Sequence, residues 1–156
     1  MGLELQLAPN VNERDDFDSS SIDSRVSDLH QAFSDKSIKA VFAVIGGFNC
    51  NQLLRYLDWQ LIRDNPKIFI GYSDTTALEN AIYAQTRLVT YSGPAYSTFG
   101  QKLYFDYTLE YFYKCLFSDQ EFEVLPSQFW SDDKWYLDQD NRELIKNHGW
   151  LAINSG

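Results

Sequence analysis

The residues best suited to chemistry stand together at Gly71-Tyr72-Ser73-Asp74-Thr75-Thr76. Ile68 to Ile70, just before them, are apolar and β-prone, and Gly71 breaks the run. From Thr75 onward Ala77, Leu78, Ala81 and Ile82 recur at helical spacing. The pattern predicts a strand, a sharp turn carrying Ser73, and then a helix. A serine so placed holds its hydroxyl clear of the sheet. The helix behind it offers free N–H groups and positive potential to a developing oxyanion, which is the geometry of nucleophilic acyl transfer. A plainer reading uses the same residues. Ser, Asp and Thr are preferred N-caps, and Thr76 and Glu79 have capping-box spacing, so the cluster would simply start a helix. The second glycine of G-x-S-x-G is absent, so the ordinary α/β-hydrolase signature is not met.

Other reactive types are sparse. Cys50 and Cys115 are far apart and lack metal-ligand spacing, so they read as free thiols of a reducing compartment. Cys50 lies near Gly46-Gly47, where a reactive role is conceivable, yet a small half-buried residue is its simplest reading. There are two histidines. His30 lies within a helical pattern and His148 just before the last apolar stretch, and both read as surface or packing residues. No metal or cofactor is implied.

The elements around Ser73 follow from periodicity. Leu3 to Leu7 alternates apolar and polar and predicts a strand. Asn10 to Ser21 is a polar loop, and Ser20 or Ser21 caps a helix with Ile22, Val26, Leu29 and Phe33 on one face. Lys39 to Ile45 predicts a buried parallel strand, ended by Gly46-Gly47. Leu53, Leu54, Leu57 and Leu61 predict a helix over 51–62, stopped by Asn65-Pro66. Leu88 to Tyr91 reads as a strand closed by Gly93-Pro94. A helix is expected around Leu109 to Leu116, with strands at Phe122 to Leu125 and Trp150 to Ile153.

Strands alternating with helices predict an α/β fold, a doubly wound, mainly parallel sheet flanked by helices. Gly46-Gly47, Ser73 and Gly93-Pro94 all fall at the carboxyl ends of strands, where such sheets bind ligands. The chain has 156 residues, 44% of them hydrophobic and 16% aromatic, enough for a folded core. A net charge of −9 argues against nucleic acid or an anionic membrane as partner. No signal peptide, membrane span or lipidation motif is seen, so a cytoplasmic protein is expected.

Four stretches in order, 44–54, 65–78, Thr90-Tyr-Ser-Gly-Pro94 and Trp130-Ser-Asp-Asp-Lys-Trp135, together resemble the LD-carboxypeptidase family of serine peptidases. No one of them is specific; their order and spacing carry the resemblance. Tyr72 before the serine is similar to the branch that includes the microcin C self-immunity proteins rather than the murein-recycling branch. The resemblance implies that Ser73 is the nucleophile. It implies an oxyanion hole made by the backbone N–H of Asp74 and one from Gly46 or Gly47, and a substrate-holding loop bearing Trp130 and Trp135. The implied substrate is a murein tetrapeptide or a peptidyl-nucleotide antibiotic of the microcin C type, in a parent that forms homodimers. The family's triad is Ser-Glu-His, with its glutamate and histidine in a C-terminal domain. Residues 1–156 accordingly read as one nucleophile-bearing N-terminal α/β domain, lacking that domain and an opening strand and helix ahead of Leu3. Little or no turnover is expected from it alone. A non-catalytic ligand-binding α/β domain is the alternative, and a small-molecule domain with no hydrolase history is a third reading.

Overall fold

The structure is a computed structural model that describes residues 2–151. The chain divides into two compact units, Met1–Tyr96 and Ser97–Gly156.

The first unit is α/β. Helix α1 (Ile22–Ser34) starts where Ser21 accepts the Ser24 N–H, which satisfies one of the donors a helix start leaves open. Its apolar face places Phe33 at 1% exposure, stacked on Phe69 with ring centroids 6.4 Å apart. Strand β1 (Ala40–Phe42) follows, then a short 3-10 turn at Cys50–Leu53, helix α2 (Trp59–Asp64) and strand β2 (Ile68–Gly71). Helix α3 (Thr76–Thr86) leads to the short strand β3 (Tyr91–Ser92). The three strands pair in the order β1-β2-β3, all parallel, with Ala40 opposite Ile68 and Ile70 opposite Tyr91. This is the expected parallel sheet flanked by helices. Phe33, Leu53, Leu57, Ile62, Phe69, Leu78 and Ile82 form one buried core under it. The Lys67 ammonium donates to the carbonyls of Asp35 and Ile38, which ties the entry of β1 to that of β2.

Several expectations fail, each for a physical reason. Leu3 to Leu7 has the alternation of a strand but pairs with nothing among the described residues, and Leu3, Leu5 and Leu7 stay exposed. Alternation marks a strand only where a partner edge supplies the ladder. Strand β1 stops at Phe42, and Val44 and Ile45 are exposed in the loop beyond it. The helix expected over 51–62 breaks, because the Asp58 carboxylate caps a new start by accepting the Leu61 N–H. Leu53, Leu57 and Ile62, on either side of that break, are all buried in the core. Strand β3 begins at Tyr91 rather than Leu88, since Arg87 ends α3 in the left-handed region (φ 66°) and the chain must recover.

In the second unit helix α4 (Asp106–Leu116) lies as expected, with Phe112 buried against Phe99 and Phe117. Phe122 to Leu125 forms no strand; Tyr111 holds this segment, accepting the Leu125 N–H and donating to the Glu123 carbonyl. Strands β4 (Phe129–Trp130) and β5 (Ile145–Lys146) pair antiparallel and close the base of the loop between them. The strand expected at Trp150 to Ile153 lies partly outside the described residues. Trp150 and Leu151 are exposed and in no strand. No helix among the described residues is long and apolar enough to cross a membrane.

Candidate active site

β2 runs into the core through Phe69 and Ile70, each 2% exposed, and ends at Gly71. A Cβ on Gly71 would lie 2.8 Å from Thr75 Cγ2 and 2.9 Å from Ala43 Cβ, so only glycine lets the chain turn here. Tyr72 is extended, and Ser73 then takes φ +62°. That is the left-handed region, costly for a residue with a side chain and held only where surroundings impose it. Ser73 to Thr75 make one 3-10 turn, Thr75 is buried at 2%, and α3 begins at Thr76. Ser73 itself is exposed. The turn is therefore anchored at Gly71 and Thr75 and presents the serine between them.

The cluster does not cap the helix. No side chain caps α3, and the Thr76–Glu79 capping box does not form. Glu79 is instead 4% exposed, its Oε1 unpartnered, and burial raises its carboxyl above the ordinary range.

The strand ends come together at this turn. The Ala43 N–H donates to the Ile70 carbonyl at 3.0 Å, the Gly93 N–H to the Gly71 carbonyl at 2.8 Å, and the Tyr96 N–H to the Ala43 carbonyl at 2.8 Å. The loop after β1 bends back over Ser73. A Cβ on Gly46 would sit 2.9 Å from Ser73 Cβ and 3.1 Å from its Oγ. Gly46 is thus a glycine because the serine occupies the space. The N–H groups of Gly46 and Gly47 donate to no acceptor among the described residues. Asp74 stands at the start of the 3-10 turn, where the first N–H groups have no partner within the turn. Ser73, Asp74, Gly46 and Gly47 are thereby brought to one place.

Residues that spacing does not reveal complete this place. The Asp74 carboxylate accepts the N–H groups of Asn49 and Cys50, both at 2.8 Å. Arg25 donates to the Asn49 carbonyl at 3.2 Å and to its Oδ1 at 2.9 Å, and the Asn49 amide donates to Ser19 Oγ. The Cys50 thiol is pushed up to about 12, first by burial and then by its hydrogen bond to Asp74 and that residue's charge. It is no nucleophile at neutral pH. His30 Nε2 is engaged away from Ser73, accepting the Asp58 N–H ahead of α2, and His148 is an exposed residue of the second unit. Among the described residues the Ser73 hydroxyl is hydrogen-bonded to no base.

The second unit carries Trp130 and Trp135. Both line a cavity of about 530 Å³ with Tyr104, Tyr107, Phe129 and Arg142. The Asp133 carboxylate organises the loop between them. It accepts Ser131 Oγ, the Glu143 N–H and the buried Arg142 Nε. The first two bonds, followed by the arginine, hold its carboxyl below the ordinary range.

A parallel-sheet serine turn packed on a glycine loop has relatives. Residues 1–93 match the LD-carboxypeptidase N-terminal domain. The chain belongs to the LD-carboxypeptidase family. It is 56% identical over 156 residues to YocD of Bacillus subtilis (strain 168), covering all of this chain and 48% of that protein. An MccF-like protein from Bacillus anthracis superposes with a TM-score of 0.94 at 56% identity, over 96% of this chain and 45% of the other. The microcin C7 self-immunity protein MccF, in complex with aspartyl sulfamoyl adenosine, superposes with a TM-score of 0.82 at 35% identity, over 90% and 44%. The chain is also 36% identical over 83 residues to a murein tetrapeptide carboxypeptidase of Pseudomonas aeruginosa, 53% of this chain and 27% of that protein. The chain spans about half the length of the curated relatives it matches.

Proposed function

We propose that this chain is the nucleophile-bearing part of a serine carboxypeptidase that cleaves an amide bond in a small peptide or peptidyl-nucleotide. The observation that carries the reading is the left-handed, exposed Ser73 at the end of a buried strand, packed on Gly46. Ser73 Oγ would attack the amide carbonyl carbon and pass its proton to a general base. The N–H groups of Asp74 and of Gly46 or Gly47 would receive the oxyanion. Donors of this kind contribute about 3–4 kcal/mol each to lowering the barrier. The amine leaves with the proton, and water then hydrolyses the Ser73 ester. Trp130 and Trp135 would hold the substrate, their flat faces suited to a heterocyclic base. The relative bound to aspartyl sulfamoyl adenosine supports a peptidyl-nucleotide, and the murein tetrapeptide carboxypeptidase supports a murein peptide.

The base would come from the family's glutamate- and histidine-bearing domain, in a cytoplasmic homodimer. Turnover by residues 1–156 alone is then expected to be negligible, because loss of a triad member costs about 10⁴–10⁶-fold in rate. A non-catalytic ligand-binding domain is the second reading, favoured by the absence of a base bonded to Ser73 among the described residues. The test compares this chain with a longer polypeptide that includes the second domain, on a murein tetrapeptide and on a peptidyl-nucleotide. Hydrolysis by the longer protein that is abolished by Ser73→Ala is expected. Hydrolysis that survives the substitution removes Ser73 from the mechanism.

A further inference from the structure

We infer that the Asp74 carboxylate is a positioning residue for the oxyanion hole, clasping the 46–50 loop to the Ser73 turn so that both halves of the hole move as one. The inference rests on the proposed oxyanion hole and assigns it a side chain. One half of the hole is on the turn after β2 and the other on the loop after β1, and the sheet fixes neither beyond Ala43 and Gly71. The carboxylate closes that gap. Its Oδ2 takes two loop N–H groups at 2.8 Å and lies 3.4 Å from where a Cβ on Gly47 would be.

The opposite side of the loop is held as well. Arg25 grips both oxygens of Asn49 and reaches Gln52 Oε1 at 3.0 Å, and Ser19 takes the Asn49 amide. A carboxylate next to an oxyanion hole would oppose the charge developing there. Here its charge is engaged by two N–H groups on the loop side, with the Arg25 cation across that loop. Charge and clasp thus serve one end: the loop is pinned and the hole is left to its free N–H groups.

Cys50 is a reporter built into the clasp, since its backbone N–H donates to the same carboxylate and its thiol is raised first by burial and then by Asp74. In a Cys115→Ser background, the pH dependence of Cys50 alkylation by iodoacetamide reads the clasp, and fluorophosphonate labelling reads Ser73. In the parent, Cys50 should alkylate slowly until well above pH 10. In Asp74→Ala the alkylation midpoint should fall, staying above the ordinary thiol value of 9.0 because burial also raises the thiol, and the reaction at pH 8 should be faster as the loop is released. Ser73 labelling should fall at least tenfold in Asp74→Ala and recover in Asp74→Asn, which keeps an acceptor oxygen. Unchanged Cys50 alkylation in a folded Asp74→Ala protein overturns the inference, as does Ser73 labelling no better in Asn than in Ala. Should Asp74→Ala not fold, amide exchange in the parent decides. Slow exchange at Asn49 and Cys50 supports the clasp, and exchange as fast as in the open loop overturns it. Absence of any Ser73 labelling in the parent would overturn the nucleophile instead, and the thiol reading would still report on the clasp.

Discussion

At the scale of single residues, the site is a matter of what fits beside Ser73. Gly46→Ala would put a methyl 2.9 Å from Ser73 Cβ and 3.1 Å from Oγ, closer than carbon atoms pack. The turn or the loop must then shift. Fluorophosphonate labelling of Ser73 should fall by at least tenfold while far-UV circular dichroism stays that of the parent; equal labelling would show that the loop does not bear on the serine. Glu79 offers a second test, by pH. Its carboxyl is raised by burial, so the folded protein keeps a proton that the unfolded chain gives up above its ordinary value of 4.5. The unfolded chain binds fewer protons there, and stability falls as pH rises. Glu79→Leu removes the unpartnered Oε1 and should raise stability at pH 7 by about 1 kcal/mol. The gain should shrink toward pH 4. A gain of the same size at both values would place its origin in packing and not in the buried carboxylate.

At the scale of elements, caps decide where helices begin more firmly than apolar spacing does. Leu53, Leu57 and Leu61 read as one helix, but Asp58 accepts the Leu61 N–H and its own N–H goes to His30, so α2 starts anew. Asp58→Ala should therefore lower the melting temperature by an amount equivalent to about 1 kcal/mol. A neutral effect would mean that tertiary contacts alone set the break. The turn at Ser73 was legible in sequence because it is local: an apolar run, one glycine and a helical period suffice. Gly46 and Gly47 were legible for the same reason, as the stop after an apolar run. Leu3 to Leu7 misled, because pairing needs a partner edge that alternation does not reveal. The Asp74 clasp and the Arg25 grip were not legible, since residues 24 or more positions apart meet only once the sheet is formed. Asp133 stands similarly between the two tryptophans, and its bonds to Ser131, Glu143 and Arg142 are made by the fold of that loop.

At the scale of the whole molecule, apolar side chains remain uncovered. Leu3, Leu5, Leu7, Ile45, Phe48 and Leu151 are each more than half exposed. Light scattering on the purified chain should therefore report a mass above 18.1 kDa that rises with concentration. A constant monomer mass across concentrations would show that this surface does not drive association. The chain belongs to the LD-carboxypeptidase family, and the parallel sheet places its strand ends at one edge, but the proposed chemistry rests on one hydroxyl. The most direct measurement is peptide-level mass spectrometry after prolonged incubation with a fluorophosphonate. The account predicts a single adduct on the Ser73 peptide, formed slowly in the absence of a partnered base and missing from Ser73→Ala. No adduct at saturating probe, or one that persists unchanged in Ser73→Ala, would contradict it.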